Sequence, residues 1–112
     1  MASEQRDIAD GTLEVRTAKD GDTYVISLCG ELDLANAGTA ETALEASLAD
    51  DASNVVVDMR ELEFIDSTGI ALLVAALGHN GDEDRVRFIP SPAPAVTRVL
   101  ELTGLAERLP LA

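Results

Sequence analysis

The chain has 112 residues, of which 46% are hydrophobic, and its formal net charge is −13 at pH 7. This length suits one domain with a modest core. The negative charge argues against binding to nucleic acid or to an anionic membrane surface, because phosphates would repel it. A basic protein partner fits the charge, and so does a simple need for solubility.

The chain begins with a polar segment followed by two strands. Residues 1–11 are expected to form a flexible tail, and residues 12–112 are expected to form the domain. Alternation over residues 13–16 and an apolar run over residues 23–29 flank an Asp-Gly-Asp turn signal, so a hairpin is predicted. The second strand is expected to be buried on both faces and to stop at Gly30.

Helices and strands alternate in the middle of the chain. Asn36 is a candidate N-cap for an amphipathic helix over residues 37–49. The β-branched residues 55–57 are typical of an interior strand. A helix follows over residues 67–77, and because it is apolar all round it is expected to be largely buried.

The C-terminal part predicts one more strand and one more helix. Residues 85–89 read as an edge or near-edge strand, and prolines open a helix over residues 95–102. Leu105 and Leu109 are expected to tuck back onto the core. The order β-β-α-β-α-β-α predicts an α/β domain with a mixed sheet of about four to five strands covered by three to four helices.

The sequence Asp66-Ser67-Thr68-Gly69 stands where the second predicted helix begins. Either Asp66 or Ser67 is suited to cap that helix through its side chain. An exposed Ser67 is also a candidate for phosphorylation, which the helix dipole and free N–H groups would tolerate. Gly69 is a poor choice for a helix, so a partner or a neighbouring loop is expected to approach its backbone closely.

Catalysis has little support in this sequence. A serine nucleophile needs a base within hydrogen-bond reach. The only histidine, His79, lies beyond a helix that spans roughly 15 Å, and Lys19 is the only lysine. No catalytic residue is therefore expected, and hydrolase activity at Ser67 is disfavoured.

No metal or cofactor is expected either. The Asp82-Glu83-Asp84 run lacks the spacing of a calcium loop and reads as a solvated turn. Cys29 is the only cysteine, in an apolar strand, and is expected to be a buried free thiol in a reducing cytosol. The N-terminal residues do not have the pattern of a signal peptide, and no membrane insertion is expected.

Four short segments resemble those of STAS-domain anti-sigma factor antagonists. Residues 64–70 (Phe-Ile-Asp-Ser-Thr-Gly-Ile) resemble the phosphorylation segment of that family, and residues 30–33 (Gly-Glu-Leu-Asp) resemble its motif after the second strand. Residues 99–105 look like its closing helix, and residues 91–96 look like the lead-in to that helix. The resemblance covers about residues 12–110.

The resemblance implies a fold and a mechanism. The implied fold is a mixed sheet covered by helices. The implied partners are an anti-sigma factor with serine kinase activity, which the unphosphorylated antagonist sequesters, and a serine phosphatase that resets the switch. Carried over by position, Ser67 is the phospho-acceptor, and Asp33, Asp66, Thr68 and Gly69 form the docking surface around it.

Two other functions stay open at this point. One is a STAS module outside sigma control, such as a subunit of a lipid transporter or of a signalling assembly. The other is a small hydrolase or nucleotide-binding enzyme, against which the missing base and phosphate loop argue. The segment of residues 78–84 is more acidic than the family pattern and is expected to affect the choice of partner.

Overall fold

The structure, a computed structural model, describes residues 3–8, 13–49, 54–80 and 84–112. In chain order, the strands and helices are β1 (Ser3–Ile8), β2 (Leu13–Asp20), β3 (Thr23–Leu32), α1 (Ala37–Ala49), β4 (Asn54–Asp58), β5 (Leu62–Ile65), α2 (Ser67–Leu77), β6 (Val86–Ile89) and α3 (Pro94–Leu102). A short 3-10 turn, Leu105–Glu107, follows α3.

The strands form one mixed sheet. Five of them lie along the path β1-β2-β3-β4-β6, and β5 pairs with β3 off this path. The pairs among β1, β2 and β3 are antiparallel, whereas β3 pairs with β4 and β5, and β4 with β6, in parallel. The predicted α/β fold with a mixed sheet is confirmed, as are the interior position of β4 and the edge position of β6.

The hydrophobic core lies on one face of this sheet. Val15 lies opposite Leu28, and Val57 opposite Phe88, so these four buried side chains share a face. Helices α1, α2 and α3 contribute buried side chains to the same core, namely Ala40, Leu44, Leu72, Leu73, Val96 and Leu100. The expected return of Leu105 and Leu109 to the core is confirmed.

The other face of the sheet is only partly covered in the described part of the chain. Val25, Ser27 and Cys29 point to that face and are half-buried. The prediction that β3 is buried on both faces is therefore wrong, because the helices cover only the Ile26 and Leu28 side. An apolar run alone does not show on how many faces a strand is covered.

Cys29 carries a free thiol on this second face, although the thiol is half-buried rather than fully buried as expected. The guanidinium of Arg16 donates through Nη2 to Cys29 Sγ at 2.9 Å and to Glu61 Oε2 at 2.9 Å. Burial raises the pKa of the Cys29 thiol, against the lowering effect of Arg16. The protonated thiol therefore dominates at neutral pH, which disfavours a reactive cysteine.

Residues 3–8, within the segment of residues 1–11 that was expected to be a flexible tail, form a strand in the structure. This strand is β1, antiparallel to β2, with pairs that run from Ser3 opposite Lys19 to Ile8 opposite Glu14. An edge strand is held by backbone hydrogen bonds to a single neighbour, so a polar sequence gives no apolar alternation to reveal it. The other residues of the expected tail lie outside the described ranges.

Gly30 does not end β3 as predicted. Its φ of 105° is open to glycine, and the register of the strand shifts between Gly30 and Glu31. The strand continues to Leu32 and exchanges its partner β4 for β5. No strand was predicted at β5, because only its two end residues are buried and its residues do not alternate between buried and exposed. The irregularity at Gly30 thus lies where β3 changes its partner from β4 to β5, the strand that leads into α2.

Helix α2 has the predicted bounds but not the predicted burial. Its buried residues are Gly69, Leu72, Leu73 and Ala76, whereas Ala71, Val74 and Ala75 are exposed. The helix packs on the sheet and on α1 with one side only, which leaves an apolar strip outside. No helix within the described ranges is long and apolar enough to cross a membrane.

Candidate functional site

The carboxyl ends of β3 and β5 bring the two acidic motifs together. Leu32 lies opposite Ile65 in this parallel pair, and the backbone N–H of Asp66 donates to the carbonyl of Leu32 at 3.2 Å. Asp33 and Asp66 are the next residues after the two strands. The Gly-Glu-Leu-Asp and Asp-Ser-Thr-Gly segments, 33 residues apart from Asp33 to Asp66, therefore meet at one edge of the sheet.

Asp66 is the residue that caps α2. Its backbone is extended (φ −107°), and its Oδ1 accepts the N–H groups of Thr68 at 2.8 Å and Gly69 at 3.1 Å. Its Oδ2 accepts the N–H of Leu34 at 3.2 Å. One carboxylate therefore satisfies two donors of the helix start and ties the loop after β3 to that helix.

Ser67 is the first residue of α2 and is exposed. Its hydroxyl makes no hydrogen bond to any described residue, and the capping role belongs to Asp66. The helix therefore does not need the Ser67 hydroxyl, which is open to a modifying enzyme. The expectation that free N–H groups would accept a phosphate is wrong for Thr68 and Gly69, because Asp66 already occupies their N–H groups.

The loop between β3 and α1 is held by its own polar side chains. Asp33 Oδ1 accepts the N–H of Ala35 at 3.0 Å, and Asn36 Oδ1 accepts the N–H of Asp33 at 2.9 Å. Asn36, only 1% exposed, also donates from Nδ2 to the carbonyl of Glu31 at 2.9 Å. Asn36 precedes α1 as predicted, but these bonds serve the loop, and this role was not foreseen.

Gly69 is buried beneath the site. A Cβ at this position would lie 2.5 Å from Ile65 Cγ1 and 3.0 Å from two carbon atoms of Leu32. Of the two predicted reasons for Gly69, close approach within the fold is the one that the structure shows. Gly69 therefore does not belong to the exposed surface that its predicted role in partner binding would require, whereas Asp33, Asp66, Ser67 and Thr68 are exposed or half-buried.

Sequence reasoning missed an exposed apolar residue beside the two aspartates. Leu34 follows Asp33 in the loop, and 77% of its surface is exposed. A leucine in a loop between Asp33 and Asn36, two residue types that favour turns, is the only signal that the sequence offered. The structure adds that the Leu34 backbone is bonded to Asp66, so Leu34 is positioned by the cap of α2.

The described residues do not assemble a catalytic or metal centre around Ser67. His79 is exposed after the C-terminal end of α2, as expected. The described ranges hold no group of three or more His, Cys, Asp or Glu side chains arranged to bind a metal ion. The predicted turn at Asp82-Glu83-Asp84 lies mostly outside the described residues, although Asp84 itself is exposed.

A protein-family model described as "Mlab, STAS domain" matches residues 15–111. The chain belongs to the STAS domain family. A curated relative of this STAS domain, the anti-sigma-B factor antagonist of Staphylococcus aureus, is 26% identical over 95 residues, which cover 85% of this chain and 88% of the relative.

Solved structures resemble this STAS domain along nearly all its length. The crystal structure of an anti-sigma factor antagonist from Mycobacterium paratuberculosis has a TM-score of 0.74 and 27% identity, covering 99% of this chain and 85% of that one. The anti-sigma factor antagonist SpoIIAA in its unphosphorylated form has a TM-score of 0.65 and 20% identity, covering 98% of this chain and 88% of that one. The latter likeness concerns the fold alone.

The three hydrogen bonds of Asp66 lead to a prediction about stability. We expect Asp66→Ala to lower the free energy of unfolding by about 1 kcal/mol, because it removes the cap of α2. Asp66→Asn should cost less, since its side-chain oxygen still accepts N–H groups. Urea unfolding followed by circular dichroism measures both variants. Equal stability of Asp66→Ala and the unsubstituted domain would contradict the capping role.

Proposed function

We propose that this STAS domain is an anti-sigma factor antagonist, a cytoplasmic binding protein and not an enzyme. While Ser67 is unphosphorylated, the domain sequesters an anti-sigma factor that has serine kinase activity, and the sigma factor is freed for transcription. The kinase phosphorylates Ser67 and is released, and a serine phosphatase restores the binding form. The names of the curated relative and of the solved antagonists support this role.

The observation that carries the proposal is that Asp66, and not Ser67, caps helix α2. Asp66 makes the bonds of the helix cap, while the Ser67 hydroxyl beside it is exposed and makes no bond to a described residue. A serine retained for capping would accept N–H groups itself. A hydroxyl in this position is suited to be a substrate for a kinase.

Asp33, Asp66 and Thr68 complete the proposed docking surface around Ser67. Leu34 links them, since its N–H bonds to the Asp66 carboxylate and its chain neighbour is Asp33. Two carboxylates at this surface suit a basic partner, in line with the net charge of −13. Gly69 contributes indirectly, because it lets α2 approach Leu32 and Ile65 and so fixes the start of the helix.

The charges of the site explain how a phosphate would release the partner. Phosphorylation adds about −1.5 to −2 charge at pH 7. The new dianion would adjoin the Asp66 carboxylate, which already holds the N–H groups of Thr68 and Gly69. With those N–H groups occupied, the phosphate would lie at the surface where the partner binds. It would repel a partner surface that fits a neutral hydroxyl between two acidic residues.

The test begins with a capture from lysate of the source organism, with the wild-type domain and folded Ser67→Glu as paired baits. A candidate that binds only the wild type is purified and incubated with the domain and radiolabelled ATP. We expect label on the wild type and on Thr68→Ala, and none on Ser67→Ala, with the site read by mass spectrometry. Label on Thr68 alone would show that Thr68 is the acceptor and would contradict the assignment to Ser67. Equal capture by both baits would favour a STAS module outside sigma control.

A further inference from the structure

A surface groove between α1 and α2 begins beside the phosphorylation segment. Its volume is about 280 Å³, and it is lined by the apolar side chains of Leu34, Ala37, Ala71 and Leu72 together with Thr68 and Glu41. Pockets for small ligands enclose about 300–1,000 Å³ and bury most of the ligand. A groove of this size at the surface is better suited to one or two side chains of a protein. We name it the Leu34 groove.

Leu34 is held in place before any partner arrives. Its own N–H is bonded to Asp66, and the flanking residues Asp33 and Ala35 are bonded within the loop. Because these bonds already fix the backbone, binding has only the side-chain rotamers of Leu34 left to order. Burying it in an interface therefore yields most of its hydrophobic free energy.

The charges around the Leu34 groove select its occupant. Glu41 lines the groove, Asp33 is the chain neighbour of Leu34, and no described lysine or arginine lines it. A second copy of this chain would bring a charge of −13 against the same charge. A partner segment with an aliphatic side chain next to a lysine or arginine fits better, because the aliphatic side chain contacts the apolar lining and the basic side chain pairs with Glu41. Thr68 lines the groove and adjoins Ser67, so the groove continues the proposed docking surface.

We propose that the Leu34 groove binds an aliphatic side chain of the anti-sigma factor, flanked there by a basic residue that pairs with Glu41, and that Leu34 is the apolar anchor of this contact. This inference rests on the proposed function. It adds a residue that neither aspartate motif contains, and it states the chemistry of the partner segment.

The test measures the affinity of the purified anti-sigma kinase, identified in the capture above, for paired variants by isothermal titration calorimetry. Leu34→Asp should weaken binding about 30-fold, as expected for a central apolar anchor. Its control is Leu102→Asp, which changes a leucine with 74% exposure on α3, outside the groove, and should bind like the wild type. Circular dichroism checks that both variants are folded.

A second pair of variants tests the charge. Glu41→Lys should weaken binding about tenfold, whereas Glu45→Lys, the same change one turn further along α1 at an exposed position, should have little effect. Similar affinities for Leu34→Asp and Leu102→Asp would overturn the inference. So would a wild-type domain that forms dimers in sedimentation velocity and loses them with Leu34→Asp, because the occupant would then be a second copy.

Ser67→Glu, measured in the same titrations, separates the two proposals. If Ser67→Glu weakens binding and Leu34→Asp does not, the Leu34 groove is excluded and the phosphorylation switch stands. If the kinase binds all variants equally, the proposed function fails together with the inference. Loss of affinity in both variants, with Leu102→Asp unaffected, supports both.

Discussion

Phosphorylation of Ser67 is expected to weaken the complex with the anti-sigma factor several hundredfold, while the STAS domain stays folded. The hydroxyl makes no bond to a described residue, so its modification breaks no contact within the fold. The interface, by contrast, receives a dianion beside Asp66 and near the Asp33 loop. A loss of about 3–4 kcal/mol corresponds to that factor in affinity.

Titration of the purified kinase with phosphorylated and unphosphorylated domain measures this effect. Ser67→Ala should bind like the wild type, because it removes only an unbonded hydroxyl. Ala106→Glu adds a negative charge at an exposed position in the 3-10 turn, away from the site, and controls for net charge. Thermal melts should agree among all four proteins. A phosphorylated domain that binds as tightly as Ser67→Ala would contradict the switch.

Alanine substitutions at two helix glycines are expected to have opposite effects on stability. At Gly69 the added Cβ would lie 2.5 Å from Ile65 Cγ1 and 3.0 Å from Leu32 Cγ. Both side chains are buried and cannot move aside without disturbing the core. Overpacking costs about 1–3 kcal/mol, against roughly 1 kcal/mol gained in helix propensity. We therefore expect Gly69→Ala to destabilise the domain by up to about 2 kcal/mol.

Gly38, in the first turn of α1, is the matched control. A Cβ there meets no atom within 4 Å, so Gly38→Ala should stabilise the domain by up to about 1 kcal/mol through propensity alone. Urea unfolding measures the change in the free energy of unfolding for each of the two variants. If both variants shift stability in the same direction, the contacts beneath α2 do not set the role of Gly69.

Most helices and strands followed from local pattern. Local pattern predicted the β-branched run of β4, the bounds of α1 and α2, and the prolines that open α3. It could do so because hydrophobic periodicity and helix caps involve residues only a few positions apart. The elements that were missed had no such pattern. Strand β1 is polar, and β5 has two exposed residues between two buried ones in place of an alternation, so both depend on their pairing partners.

For the candidate site, local pattern was enough to predict the location and chemistry of the segment: a serine, flanked by a carboxyl and a hydroxyl, at the start of a helix. The folded domain was needed to show that Asp66 is the cap and Ser67 is not, that Gly69 is buried, and that Leu34 stands exposed beside them. The burial of Gly69 against Leu32 and the bond between Leu34 and Asp66 depend on the parallel pairing of β3 with β5. That pairing joins residues more than 30 positions apart, such as Leu32 and Ile65, and local propensity carries no information about contacts at that separation.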